Sequence, residues 1–272
     1  MDSNASTLAA QPSVSALIGQ AWRNAATAAV PALPWIALLA LAAGFFNWAF
    51  STGTGGTLLS LGALTLVFVA GVQASLMTYR AMIPGAKGGF MALLHMNLAI
   101  YLAFFFVGFF VFFFVGAFGV VMLQMSGLVD LGAETADAQF QSALSTMLAT
   151  PYGIALLLVY AAGLGGLCFL ALRLLLVGAA TVQTGRVMVF RTWGWTKGQA
   201  LRFGMASLVT HVAPFLAGYV VNLAILHAAG TGEAMLFLTG ITALLLQVPF
   251  LLAGHGLAVA ALLPAADDAN VA

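Results

Sequence analysis

A chain of 272 residues that is 63% hydrophobic and 6% charged, with a mean hydropathy of +1.09, lacks the polar coat of a soluble fold, in which about 25% of residues are charged. The composition excludes a soluble enzyme and reads as an integral membrane protein. A net charge of +1 offers nucleic acid no basic surface, and the lone Cys168 permits neither an internal disulfide nor a cysteine-built metal centre.

Residues 1–30 read as a cytoplasmic N-terminus that ends in an amphipathic helix. Asp2 stands where a signal peptide would be basic, so the first span is expected to act as an uncleaved anchor. Asn4-Ala5-Ser6 matches a glycosylation sequon, in a segment assigned to the cytoplasm. Val14, Leu17, Ile18, Ala21, Trp22, Ala25 and Ala28 share one helical face, Gln20, Arg23 and Thr27 the other. Ser13 is placed to cap this helix, and Pro31 and Pro34 separate it from the first span. Such a helix is expected to lie in the inner membrane surface.

Stretches without Asp, Glu, Lys or Arg cover 24–79, 88–129, 138–172, 203–232 and 234–266. One span needs about 20 apolar residues. The turn-forming run 51–57 divides the first stretch, so six helices are predicted near 33–51, 57–79, 98–126, 152–176, 204–227 and 236–263. The fold class is all-α and polytopic, with a six-span domain over 31–264 and a cytoplasmic tail at 265–272. Further in-plane helices are expected before span three, at Phe90 to Asn97, and before span five, at about Val189 to Phe203. That gives a threefold repeat of in-plane helix, span, hairpin and span. Lys197 falls on the apolar face of the last in-plane helix and has to snorkel or find a partner.

With the N-terminus inside, Arg23, Arg80, Lys87, Arg173, Arg186, Arg191, Lys197 and Arg202 all lie at the inner side. Asp130, Glu134, Asp137 and Glu233 then lie outside. The positive-inside bias thus orients the chain with both termini cytoplasmic. The acidic loop, about Gly127 to Thr150, reads as a solvated face in preference to a cation site.

The connector from Arg173 to Leu201 contains Arg-Leu-Leu-Leu-Val-Gly-Ala-Ala-Thr-Val-Gln-Thr-Gly-Arg186 and Phe190-Arg-Thr-Trp-Gly-Trp-Thr-Lys-Gly198. It resembles the cytoplasmic connector of a broad family of bacterial six-span proteins, similar to the membrane domain fused to some glycerophosphodiester phosphodiesterases. The resemblance implies a six-helix bundle. It carries over no catalytic residue, because the hydrolase domain of those fusions is absent here.

Soluble-style catalytic motifs do not occur: there is no Walker A signature, His-Glu-x-x-His, Gly-x-Ser-x-Gly or EF-hand loop. No catalytic, cofactor-binding or metal site is assigned. Gly163, Gly165 and Gly166 read as helix-packing residues. The eight Phe between Phe104 and Phe114 cover every face of span three and suit a lipid-facing helix. Within the spans, Gln73, Arg173, Thr210, His211, Asn222, Gln247 and His255 are polar, whereas no carboxylate lies centrally. His95 and His227 sit near opposite interfaces.

At about 1.5 Å per residue, His211 and His255 each lie roughly 13 Å from the inner ends of spans five and six. Gln73 lies at similar depth and Arg173 closer to the inner surface, so Gln73, Arg173, His211 and His255 form a candidate intramembrane polar cluster. Two histidines are too few for a metal site, and a charged pair is disfavoured by desolvation, which leaves neutral hydrogen bonding. Arg186, Arg191, Trp193, Trp195, Lys197 and Arg202 form a candidate set of anionic-lipid contacts beside an aromatic belt. The leading expectation is a non-catalytic scaffold whose partners are membrane lipids or another membrane protein, with no nucleic acid. The alternative is transport or sensing of a lipid or small amphiphile through the bundle.

Overall fold

The computed structural model describes residues 12–128, 137–228 and 232–271. Among them the secondary structure is entirely helical, and six helices are long and apolar enough to cross a membrane: Val14–Thr52, Gly56–Met82, Phe90–Met125, Pro151–Thr184, Ala200–Ala228 and Glu233–Leu262. They follow the order of the six predicted spans. The sequon, Asp130 and Glu134 lie outside the described residues.

Helix α1 (Val14–Thr52) starts at Ser13, whose Oγ accepts from the Ala16 N–H at 3.2 Å, and ends at Gly53, which turns with φ of 65°. It does not break at Pro31 or Pro34, so no separate in-plane helix precedes span one. The reason is tertiary. Leu17, Ala21, Ala25, Ala28, Ala32, Ile36, Leu39 and Ala42 form one buried stripe through the whole helix, whereas both prolines face outward. The apolar face expected to rest on lipid is instead covered by α2 (Gly56–Met82), through Ala81 and Met82, and by Leu252.

Helix α3 (Phe90–Met125) is likewise unbroken, which removes the second expected in-plane helix. Helices α4 (Asp137–Leu148), α5 (Pro151–Leu174) and α6 (Val177–Thr184) follow. Before span five the chain does form a distinct short helix, α7 (Val189–Trp195), and a turn then leads into α8 (Ala200–Ser207). Lys197 lies in that turn and is exposed, so it has no apolar helical face to leave. A π-helical turn at Leu208–Val212 joins α8 to α9 (Ala213–Ala228). Span six is α10 (Glu233–Leu246) and α11 (Val248–Val271), interrupted at Gln247.

The chain divides into two compact units. The first, 1–97 with 172–272, is built around α1, which packs against α2, α10 and α11. Glycines set these approaches. A Cβ at Gly256 would collide with the carbonyl oxygen of Ala21, and one at Gly44 would lie 2.8 Å from the carbonyl oxygen of Phe237. Polar side chains bridge the resulting seams: Asn24 donates to the Gly256 carbonyl at 3.1 Å and Asn47 to that of Leu236 at 2.6 Å. Small residues and interhelical hydrogen bonds are what bring apolar helices together where lipid competes for every apolar surface.

The second unit, 98–171, comprises most of α3, all of α4 and most of α5. Leu123, Ala143 and Met147 are buried together beside Tyr152 and Leu156. Beyond that cluster most side chains face outward, among them seven of the eight clustered Phe. Helix α4 occupies part of the segment expected to be an outer loop.

Candidate functional site

Two helix irregularities frame the site. In span five, Pro214 has no N–H to close an α-helical turn, and immediately before it the ladder shifts register: the Ala213 N–H bonds to the Leu208 carbonyl, five residues back. His211 sits in that π-turn. In span six, Pro249 follows the interruption at Gln247, and the Gln247 N–H turns back to the carbonyls of Leu244 and Leu245. The Gln247 side chain reaches across to the Phe215 carbonyl at 3.4 Å. Six residues after Pro249 comes His255.

These irregularities bring His211 and His255 to one cavity of about 190 Å³, lined also by Tyr79, Leu175, Phe250, Leu251, Gly254 and Ala258. All of these lie in the first unit. The His255 ring lies against the buried Tyr79 ring at a centroid separation of 4.5 Å. The His211 ring meets Phe250 edge-on at 5.6 Å. Gly254 is the residue that admits His211, since a Cβ there would lie 2.6 Å from Nε2. Gly178 plays the same part for Tyr79, whose hydroxyl a Cβ at that position would meet at 2.7 Å.

Each imidazole is held by its Nδ1. His255 Nδ1 lies 2.6 Å from the Leu251 carbonyl oxygen, one helical turn earlier. His211 Nδ1 lies 3.0 Å from the Thr210 hydroxyl, which is itself 3.1 Å from the Ala206 carbonyl. Two nitrogen ligands are a poor donor set for a divalent metal, and no group of three or more His, Cys, Asp or Glu side chains occurs among the described residues.

The other members of the expected polar cluster lie elsewhere. Gln73 is half-buried on α2 and does not line the cavity. Arg173 is buried at the end of α5 and turns to the connector: Nη2 donates to the Trp193 carbonyl at 2.5 Å, and the guanidinium lies 4.6 Å from the centroid of the Trp193 ring. Thr196 completes the junction, with its hydroxyl 3.2 Å from the Arg173 carbonyl oxygen. Depth alone placed Arg173 near the histidines, whereas its partner lies 20 residues on in the chain.

Of the expected lipid contacts, Arg186, Arg191, Trp193 and Lys197 are exposed, Trp195 is half-buried, and Arg202 donates to Gln199 Oε1 at 2.9 Å. Phe190, at 93% exposure beside Arg191, joins this surface unforeseen. Tyr79 is the cavity residue that sequence reading missed. It closes an apolar span just before Arg80, where an aromatic residue reads simply as an interfacial anchor.

In the second unit, Phe106, Val107, Phe110, Val111, Phe114, Val115, Val159 and Gly163 line an apolar groove of about 460 Å³. It carries no polar side chain.

No protein-family model, curated protein or solved structure matches the chain.

Proposed function

We propose that the chain is a non-catalytic, multi-pass protein of the bacterial inner membrane, with both termini cytoplasmic, that binds a small amphiphile in the cavity between Tyr79, His211 and His255. The observation that carries this reading is the convergence of two intramembrane imidazoles on one cavity, His211 within a π-turn and His255 on the helix that follows the interruption at Gln247. Discontinuous spans beside a polar site are how membrane bundles commonly receive small ligands. The cavity's lining holds no Ser, Thr, Cys, Lys, Asp or Glu, which favours binding over chemistry.

Replacing Ala258 by Phe fills the cavity and tests the reading. Native mass spectrometry of the gently purified wild type should show a retained small amphiphile that the variant loses; absence of any adduct from the wild type overturns it. The orientation is tested separately. A reporter active only in the cytoplasm should work when fused at Ala272 and after Lys87, and one active only outside should work after Glu134.

The connector supports a contribution from anionic lipid, through Arg186, Arg191 and Lys197 beside Phe190 and Trp193, at about 1 kcal/mol per basic residue near the surface. Neutralising Arg191 and Lys197 together should reduce the anionic lipid that copurifies. The scaffold reading, which leads from the sequence alone, takes second place. Its support is the apolar groove of the second unit, a surface open to another membrane protein or to acyl chains. In-membrane crosslinking from Phe110 and Val159 distinguishes these two occupants.

A further inference from the structure

The hydrogen bonds that hold the histidines also fix which nitrogen carries the proton. A backbone carbonyl can only accept, so His255 donates to Leu251 through Nδ1–H. The Thr210 hydroxyl has one hydrogen, which satisfies the Ala206 carbonyl, so its contact with His211 is met by Nδ1–H of the imidazole. In the neutral rings both Nε2 atoms are then lone-pair acceptors, and among the described residues no donor meets either one. The cavity thus offers two like acceptors and the Tyr79 hydroxyl, within otherwise apolar walls.

This arrangement selects against most head groups. A phosphate or carboxylate would bring negative charge and further lone pairs against two acceptors, with no Arg or Lys in the lining. An ammonium group would find acceptors but no carboxylate to balance its charge. A divalent metal would gain two nitrogen ligands where it needs four or more. Neutral donors remain, and a pair of hydroxyls can satisfy the pair of acceptors. The volume, about 190 Å³, equals that of roughly six water molecules, which suits a glyceryl head. On the reading that this cavity binds an amphiphile, we infer that it takes a neutral lipid with a vicinal diol head, as in a monoacylglycerol, each hydroxyl donating to one histidine Nε2.

The test uses the full chain in phosphatidylcholine nanodiscs, with radiolabelled 1-monooleoylglycerol as probe and its di-O-methyl ether, which keeps the glyceryl backbone and loses both donors, as competitor. The diol should bind saturably, and the ether should compete about tenfold more weakly, the scale of two membrane hydrogen bonds. His211→Phe and His255→Phe should each weaken the diol's binding toward that of the ether. Gly254→Ala, which keeps both rings and places a methyl group against His211 Nε2, should do the same. Nitrogen NMR of the wild type supplies a readout independent of any variant's folding: both imidazoles should carry the proton on Nδ1, and their Nε2 resonances should move when the diol is added. Equal binding of diol and ether, abolished for both by Ala258→Phe, overturns the donor assignment and leaves the cavity reading intact. Absence of saturable binding by either, or binding indifferent to Ala258→Phe, overturns both. An Nε2–H tautomer at either histidine in the free protein also overturns the inference.

Discussion

The two units spend similar apolar sequence in opposite ways. In the first, 33% of the most apolar window of α1 is buried, and its inward stripe is mostly alanine; in the second, the corresponding windows of Phe90–Met125 and Pro151–Thr184 are 6% and 0% buried. Large side chains do not by themselves make a membrane core. The Phe-rich helix is the most hydrophobic of the six spans, yet it turns its rings outward, because lipid satisfies Phe as well as protein does. Alanine and glycine gain little from lipid but allow backbones to approach, and there the polar side chains find partners. Asn24, Asn47 and Arg173 all make their interhelical hydrogen bonds in the first unit.

That contrast predicts a hierarchy of substitution costs, readable as changes in unfolding free energy in detergent or bicelles. Gly256→Ala forces a methyl group into the Ala21 backbone and should cost about 3 kcal/mol, the upper range for overpacking where backbone cannot yield. A cost below that of Gly163→Ala or Gly166→Ala in the second unit would overturn the contrast. Arg173→Met keeps the apolar stem and removes both the donation to Trp193 and the stacked guanidinium; the expected loss is about 2 kcal/mol. Trp193 fluorescence should shift in the same variant, which ties the loss to this junction. His211→Ala should cost about 1 kcal/mol, the scale of single side-chain bonds within membranes.

The smallest effects should lie in the second unit, where two glycines on one helix sharpen the test. At Gly163 a new Cβ would meet only valine side chains, Val111 Cγ1 at 2.7 Å and Val115 Cγ2 at 3.6 Å, and these can shift, so Gly163→Ala should cost about 1 kcal/mol or less. At Gly166 nothing lies within 4 Å. Gly166→Ala should therefore cost nothing and gain up to about 1 kcal/mol from helix propensity. A large loss there would mean that this face is packed against something, and the outward-facing description of the unit would fail.

Span number and order were legible because charge-free length is a one-dimensional property: a bilayer imposes it before any tertiary contact exists. Depth was legible for the same reason, and counting along spans five and six places His211 and His255 at one level. Facing direction was not. Gln73 matches that level and lies away from the cavity, while Tyr79, six residues further on, lines it. The continuity of α1 was hidden by a local signal that points the other way. Two prolines three residues apart argue for a break, and only the buried stripe from Leu17 to Ala42 overrides them. The π-turn at His211 has a partial signal in Pro214, which demands some adjustment of the ladder without specifying which. The Arg173 to Trp193 junction depends on how the connector folds back, and no periodicity encodes that.

The unbroken α1 has a mechanical meaning. Its 39 residues make a rod about 58 Å long at 1.5 Å per residue, nearly twice the roughly 30 Å of a hydrocarbon core. A rod of that length cannot fit across the apolar layer at any ordinary tilt, so one end stands out of it. The polar residues Gln20, Arg23 and Asn24 mark the Val14 end as that part. No break in the helix separates the protruding turns from the embedded ones. The protruding turns are packed on α11, where Asn24 donates to the Gly256 carbonyl and Ala21 lies against Gly256, so a displacement of the N-terminal end reaches that seam first.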